Sequence, residues 1–176
     1  MMAVAGCAAW SGDDEDDTAD EPTERSLQPH AGEGWESVPA NQTCDSVCGM
    51  SIHEDSEWTV QLAHTDDTGA FFCSPGCMAA YVGAPEEVRA REASIRGVWL
   101  TDYETGERID GQTAYYVLQA DREKRREPMS INPRPFAEAA DADAYATEHE
   151  LGAEAVITFD EIDADVAAIY RISSGD

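Results

Sequence analysis

The stretch "EWTVQLAHTDDTGAFFCSPGCMAAYV", residues 57–82, carries the signals for two strands and a helix in immediate succession. Apolar and polar side chains alternate over residues 57–63, which predicts a strand with one buried face. The run HTDDTG is typical of a turn, and a second strand over residues 70–73 completes a hairpin. Ser74 suits the N-cap of a helix, and Pro75 suits its first position. The sequence therefore predicts a β-hairpin followed at once by a helix.

The elements after this stretch indicate a second unit with the same order. A strand over residues 98–102 follows the helix and completes a ββαβ unit. A β-rich segment, an irregular charged connection, a helix and a final strand then follow at residues 113–120, 122–135, 136–152 and 155–162. The predicted fold class is α+β, with two small ββαβ units packed side by side and a disordered acidic N-terminal tail.

The composition divides the chain into three segments. Residues 8–41 are rich in Asp, Glu, Thr, Pro and Gly and lack hydrophobic periodicity, which is typical of a disordered linker. We therefore predict a lipobox-like N-terminus with an acidic linker (1–41), a cysteine-rich metal-binding unit (42–103) and a second αβ unit (104–170).

The charge of the chain is strongly one-sided. It has 37 Asp and Glu residues against 11 Lys and Arg residues, a formal net charge of −26. Such a surface repels phosphate backbones, which argues against nucleic-acid binding. Charge spread along the whole chain is typical of a protein kept soluble at very high salt, where repulsion is screened, so we predict a halophilic source.

The N-terminal run "AVAGC", residues 3–7, has the small and apolar residues that precede a lipid-modified cysteine. Because an acidic, tether-like run follows Cys7, we predict a truncated lipoprotein signal with Cys7 as the lipid anchor. The alternative is that Cys7 is a small apolar residue near a frayed end. No run approaches the 18 apolar residues that a membrane span requires.

Four of the five cysteines form two pairs with C-x3-C spacing, with 24 residues between the pairs. These are Cys44 and Cys48, then Cys73 and Cys77. Two close pairs separated by a hairpin are typical of a metal site, since folding brings the pairs together. Structural disulfides, a four-cysteine zinc site, a dithiol redox pair and a site for a softer metal all remain open. The positive end of the predicted helix is expected to lower the pKa of both Cys73 and Cys77.

Methionines near these cysteines favour the softer metal. Thioether and thiolate donors together select Cu(I), whereas zinc rarely takes methionine. Met50 follows Cys48 by two residues and Met129 lies in a charged loop, so both are candidate ligands. Met78 falls in the predicted helix and is more typical of the core.

Two histidines flank the first predicted strand and are candidates for a nitrogen ligand. These are His53 and His64, although a lone histidine is more often a solvated or capping residue. His30, in the linker, and His149, at a helix end, carry no such signal.

The segments "CDSVCGM" and "FFCSPGCM" resemble the TRASH/YHS group of small cysteine-containing metal-binding modules. A longer resemblance covers residues 42–163, through "VWLTDYETGERIDGQTAYYVLQAD", "PM", "PFAEAADADAYATEH" and "ITFDEI". Over this range the sequence resembles the NosL family of nitrous oxide reductase accessory lipoproteins.

The resemblance implies a membrane-anchored, extracytoplasmic Cu(I)-binding protein rather than an enzyme. It implies delivery of copper for assembly of the copper-sulfide cluster of nitrous oxide reductase, and a fold similar to the organomercurial lyase MerB. By position, Cys48 and Met50 match the "CGM" motif of the family, and Met129 matches its "PM" segment. The family commonly has C-x2-C, so the extra residue here shifts Cys44 from the usual register.

The sequence thus predicts a Cu(I) metallochaperone that serves nitrous oxide reductase or another cuproenzyme and reaches the membrane through a lipid anchor. In this hypothesis Cys48 and Met129 are the exchangeable donors, while Cys73 and Cys77 hold the ion. The alternative is a four-cysteine zinc-binding module of the TRASH/YHS type, with a structural or metal-storage role.

Overall fold

The computed structural model of the chain describes residues 28–44, 46–119, 128–129 and 131–171. Cys7 and the acidic run up to residue 27 lie outside these ranges, so the lipid anchor stays a prediction. Among the helices of the described residues, none is long and apolar enough to cross a membrane.

The first unit is a five-stranded antiparallel sheet with one helix. Its elements are β1 (Gln28–Pro29), β2 (Val60–His64), β3 (Thr68–Phe72), α1 (Pro75–Gly83), β4 (Ile95–Thr101) and β5 (Arg108–Asp110). The strands lie in the order β1-β3-β2-β4-β5. The hairpin of β2 and β3, then α1 and β4, form the predicted ββαβ series. All five residues of β2 are buried, because this strand lies at the centre of the sheet with both faces covered.

The second unit repeats this series in a smaller antiparallel sheet. Its elements are β6 (Tyr115–Val117), β7 (Arg134–Phe136), α2 (Ala139–Glu148) and β8 (Val156–Thr158), and its strands lie in the order β7-β6-β8. The predicted α+β class is therefore confirmed. The last strand ends earlier than predicted because Thr158 and Glu161 form a capping box that begins a turn of 3-10 helix.

A third helix, α3 (Ala164–Tyr170), is absent from the sequence prediction and packs against α1. Glycines on α1 allow a close approach. A Cβ atom added to Gly83 would lie 2.1 Å from the backbone oxygen of Asp163, and one added to Gly76 would lie 3.3 Å from Cβ of Tyr170. One buried apolar cluster contains residues of both units, including three of the four paired cysteines.

The segment 28–41, predicted to belong to the disordered linker, lies on the first sheet. The imidazole of His30 is buried, packs over Gly69 and stacks on Trp99 with 5.1 Å between ring centroids. Its Nε2 lies 3.2 Å from Oε1 of the buried Gln61. Part of the predicted linker therefore packs on the sheet, and His30 has a packing role there and is not part of the cysteine cluster. The polar composition of the segment did not predict this contact. One aromatic ring and backbone groups make the contact, and the segment has no apolar run.

Candidate metal centre

The two cysteine pairs converge on one point of the first unit. The sulfur atoms of Cys44, Cys48, Cys73 and Cys77 all lie within 4.8 Å of one another. The Sγ of Cys48 lies 3.5 Å from that of Cys73, which lies 3.7 Å from that of Cys77, and all four are free thiols. A tetrahedral ion with metal–sulfur bonds of about 2.3 Å needs sulfur atoms about 3.8 Å apart. The four thiols therefore already have nearly the spacing of a four-sulfur metal site.

A closed loop presents the first pair. An isolated antiparallel bridge joins Thr43 to Ser51, and the N–H of Cys44 donates to the carbonyl of Met50 at 2.7 Å. The N–H of Gly49 donates to the carbonyl of Cys44 at 3.2 Å, which folds the loop back on itself. Gly49 has a φ of 69°, a left-handed conformation that favours glycine. The loop thus returns the sulfur of Cys48 beside that of Cys44, and the predicted register shift does not remove Cys44 from the cluster.

The start of α1 presents the second pair. Cys73 follows the last residue of β3, and Cys77 lies on the first turn of the helix. Ser74 is the N-cap, as predicted: its hydroxyl accepts a hydrogen bond from the N–H of Cys77 at 3.4 Å, and Pro75 is the first helical residue. The end of β3 and the start of α1 therefore hold both sulfur atoms on the same side of the strand–helix junction.

Burial distinguishes one thiol from the other three. Cys44 and Cys77 are fully buried and Cys73 is 5% exposed, whereas Cys48 is only half-buried. Cys48 therefore lies at the mouth of the centre, and the other three line its interior.

Hydrogen bonds among the thiols give them different acidities. The bond between Cys44 and Cys48 raises the pKa of Cys44 and lowers that of Cys48. Hydrogen bonding to Cys44 also lowers the pKa of Cys73 and raises that of Cys77. The prediction that the helix start lowers both pKa values is therefore wrong for Cys77, because hydrogen bonding to Cys44, Cys48 and Cys73, together with burial, raises the pKa of this thiol. Cys48 and Cys73 are the more readily ionised pair.

The two candidate methionines differ in exposure and in their neighbours. Met50 is 46% exposed, its carbonyl receives the N–H of Cys44, and its own N–H is hydrogen-bonded to the sulfur of Cys48. Met129 is half-buried and packs against the apolar cluster that contains the cysteines. The thioether groups of both remain predicted ligands. Met78 is fully buried in the core, as predicted.

Asn132, which the sequence analysis did not single out, positions this region. Its fully buried side chain accepts the N–H of Gly76 at 3.0 Å, at the start of α1, and donates to the carbonyl of Pro128 at 2.8 Å. The Pro128–Met129 segment is thereby tied to the helix that carries Cys77. The Asn-Pro dipeptide at 132–133 predicts a turn, but not this partner.

The candidate histidines do not join the cluster. Both ring nitrogens of His64 have partners, with Nε2 3.0 Å from the hydroxyl of Tyr81 and Nδ1 3.0 Å from the carbonyl of Ala93. His53 is exposed. Across the described part of the chain, the one group of metal-ligating side chains that converges consists of the four cysteines.

Comparison with known proteins places this chain in a family. A family model described as NosL matches residues 37–167, a range that includes all four cysteines, Met50 and Met129. The chain belongs to the NosL family. A crystal structure of the copper chaperone NosL from Shewanella denitrificans has a similar fold, with a TM-score of 0.56 and 19% sequence identity. The similarity covers 74% of this chain and 96% of that NosL chain. No curated protein matches the chain.

Proposed function

We propose that this NosL protein is a Cu(I) chaperone that carries copper at the four-cysteine centre and passes it to a copper enzyme. The convergence of four free thiols in a chain of this family carries the proposal. Thiolates are soft donors and select Cu(I). The similar structure from Shewanella denitrificans is that of a copper chaperone, which supports copper as the cargo. The role requires no catalysis.

Transfer proceeds by ligand exchange at the mouth of the centre. Cys48 is the half-buried thiol, so a thiolate of the recipient reaches an ion bound there first. Cys73 and Cys77, fixed by β3 and α1, retain the ion while Cys48 and Met129 are replaced. Two or three soft donors satisfy Cu(I), which leaves a position for the incoming ligand. Cys44 and Met50 supply further sulfur donors in the same loop.

Titration with Cu(I) against a competing chelator tests the assignment of Cys48. We expect Cys48→Ser to weaken Cu(I) binding, because an oxygen replaces a soft donor at the point of exchange. Thr43→Ser, an exposed change in the same loop, is the matched control and should leave affinity unchanged. Undiminished affinity in Cys48→Ser would remove this residue from the site.

A zinc-binding module is the second candidate function. The observation that favours it is the near-tetrahedral spacing of the four sulfur atoms, because structural zinc sites are closed and four-coordinate. Metal analysis of protein purified without oxygen separates the two functions. One zinc ion per chain that Cu(I) does not displace would support a structural or storage role.

A copper chaperone needs a recipient protein and a location where it meets that protein. We infer that the recipient is nitrous oxide reductase or another extracytoplasmic cuproenzyme, and that a lipid on Cys7 holds the chaperone at the membrane. Copper-loaded chaperone mixed with copper-free nitrous oxide reductase should lose copper to the enzyme, which metal analysis of the two separated proteins measures. Release of Cys7→Ser from the membrane fraction, compared with the unaltered chain, tests the anchor.

A further inference from the structure

The arrangement of thiols in the metal centre also suits a reaction between two of them. We infer that the empty centre closes by forming a disulfide between Cys48 and Cys73, which blocks metal loading until a dithiol reduces it. Metal and disulfide compete for the same sulfur atoms, so the regulation of metal loading rests on the proposed function. Formation of the disulfide itself does not.

The geometry favours this pair. The two sulfur atoms lie 3.5 Å apart, and a disulfide bond is about 2.05 Å long, so a movement of about 1.5 Å joins them. Cys48 is the more exposed of the two thiols, so the movement is assigned to its side chain. Gly49 has open space on its side-chain side, with nothing within 4 Å of an added Cβ, whereas Cys73 is fixed at the end of β3.

The exposure of the thiols sets the order of the reaction. Cys48 is half-buried, whereas the other three thiols are at most 5% exposed, so an oxidant from solution meets Cys48 first. The oxidant is a small-molecule disulfide. The thiolate of Cys48 attacks one sulfur of that disulfide, forms a mixed disulfide and releases one small thiol. The thiolate of Cys73 then attacks the sulfur of Cys48 and releases the second. The chain loses two hydrogens, and the oxidant gains them as two thiols.

The neighbouring pair Cys73 and Cys77 is less suited to this reaction. Their sulfurs are 3.7 Å apart, but both thiols are buried. Cys77 is also fixed by the hydrogen bond from its N–H to the N-cap Ser74. Joining them would pull on the first turn of α1, and no oxidant reaches them before it meets Cys48.

A Cys48–Cys73 disulfide and a bound metal ion exclude each other. The disulfide removes two of the four sulfur donors, one of them the donor at the mouth. A bound ion in turn occupies the lone pairs that the exchange reaction requires. The centre then exists as reduced and empty, reduced and loaded, or oxidised and closed. A dithiol reductant returns the closed form to the first state by the reverse exchange.

Peptide mapping tests the pairing directly. The metal-free chain is treated with oxidised glutathione, its remaining thiols are alkylated, and it is cleaved after glutamate. Glu54 and Glu57 separate the two cysteine pairs, so a Cys48–Cys73 bond yields two joined peptides. A further cut before Asp45 releases Cys44 from the joined product and shows which sulfur of the first pair is linked. A stable mixed disulfide on Cys48, or a bond within either pair, would overturn the inference.

Single variants provide the matched comparison. Cys48→Ser and Cys73→Ser should lose the joined peptides, while Cys44→Ser and Cys77→Ser should retain them. Far-ultraviolet circular dichroism confirms that each variant is folded before it is oxidised. Joined peptides at an unchanged level in Cys73→Ser would contradict the assignment of the resolving thiol.

A zinc-loading arm tests the exclusion. Zinc is the probe because it is redox-inert. Bound Zn²⁺ occupies the thiolates, so the loaded chain should resist oxidation by oxidised glutathione, and the oxidised chain should bind no Zn²⁺. Equal rates of disulfide formation in the loaded and empty chains would overturn the exclusion, even where copper titration supports the proposed function. A chain that binds zinc but not Cu(I), and is protected by the zinc, would refute the proposed function while supporting this inference.

Discussion

Cys48 and Cys44 lie in one loop but have different environments. Cys48 is half-buried and more readily ionised, because the hydrogen bond from Cys44 lowers its pKa. Cys44 is fully buried, and the same hydrogen bond raises its pKa. Cys48 is thereby suited to exchange with a partner, and Cys44 to complete the interior of the centre.

The contribution of Cys44 is testable by a single substitution. We expect Cys44→Ser to lower Cu(I) affinity by about tenfold or more, which is about 1.4 kcal/mol, because a buried sulfur donor is lost. Competition with a Cu(I) chelator measures the change, with Thr43→Ser as the control. Equal affinity in Cys44→Ser and the control would indicate that the ion is held by the other three cysteines.

Residue identity in the centre could be predicted from the sequence, but residue behaviour could not. The spacing of the two pairs was enough to predict that all four cysteines meet in one cluster. The hydrogen bonds among the thiols depend on sulfur positions that arise only in the fold, which is why the expected pKa change of Cys77 was wrong. Asn132 was missed because its partners, Gly76 and Pro128, lie on separate parts of the chain.

Helix α1 connects the metal centre to the rest of the molecule. Its first turn carries Cys77, and its last residue, Gly83, lies against the segment that begins α3. A side chain at Gly83 would meet backbone rather than a flexible side chain, so the contact cannot relax without moving α3.

This close approach predicts that Gly83→Ala destabilises the protein. An added Cβ would lie 2.1 Å from the carbonyl oxygen of Asp163. We expect the free energy of unfolding to fall by about 1–3 kcal/mol in a urea titration, as for other overpacked contacts. Gly34→Ala is the control, since nothing lies within 4 Å of a Cβ there, and it should change stability by less than about 0.5 kcal/mol. Equal stability of the two variants would show that α3 does not pack tightly on α1.

The turn between β4 and β5 contains a buried carboxylate that also contacts the second unit. The side chain of Asp102 accepts the N–H groups of Glu104, Thr105 and Ala137, at 2.9, 2.8 and 2.7 Å. Burial by itself would raise the pKa of Asp102, but the donors, led by Thr105 and Ala137, outweigh it and lower the pKa. The ionised form therefore stabilises the fold.

We expect Asp102→Asn to lower the free energy of unfolding at pH 7 by about 1.5–3 kcal/mol, the range for hydrogen bonds to a charged group. Whichever way the amide is oriented, at least one N–H group faces its NH2. The difference from the unaltered protein should shrink as the pH falls below about 3.9, where the unfolded carboxyl is protonated. Asp55→Asn, in an exposed turn, is the control, and a pH-independent difference would contradict the charge-based explanation.

Strands and helices with local sequence signals could be predicted, and those that depend on contacts with distant parts of the chain could not. The hairpin and the start of α1 could be predicted because alternation, turn residues and caps lie within one short stretch. Helix α3 was missed because its first residues follow an acidic, loop-like run. Strand β1 was missed because Gln28 and Pro29 carry no strand signal and pair through their backbone with β3.

The whole molecule carries a formal net charge of −26, which disfavours the compact state through self-repulsion. Raising KCl from 0.1 M to 1 M shortens the Debye length from about 10 Å to about 3 Å. We therefore expect the free energy of unfolding to rise over this range, as measured by urea titration at each salt concentration. Sucrose at matched osmolality is the control, because it stabilises without screening charge. A salt-independent free energy of unfolding would contradict a halophilic adaptation.

We propose that the chain holds one Cu(I) ion through sulfur atoms alone. X-ray absorption spectroscopy of the reduced protein, loaded with Cu(I) beside a competing chelator, tests it most directly. We expect one Cu(I) per chain with only sulfur neighbours, and fewer sulfur neighbours in Cys48→Ser. Copper surrounded by nitrogen or oxygen, or a zinc ion that excess Cu(I) leaves in place, would contradict it.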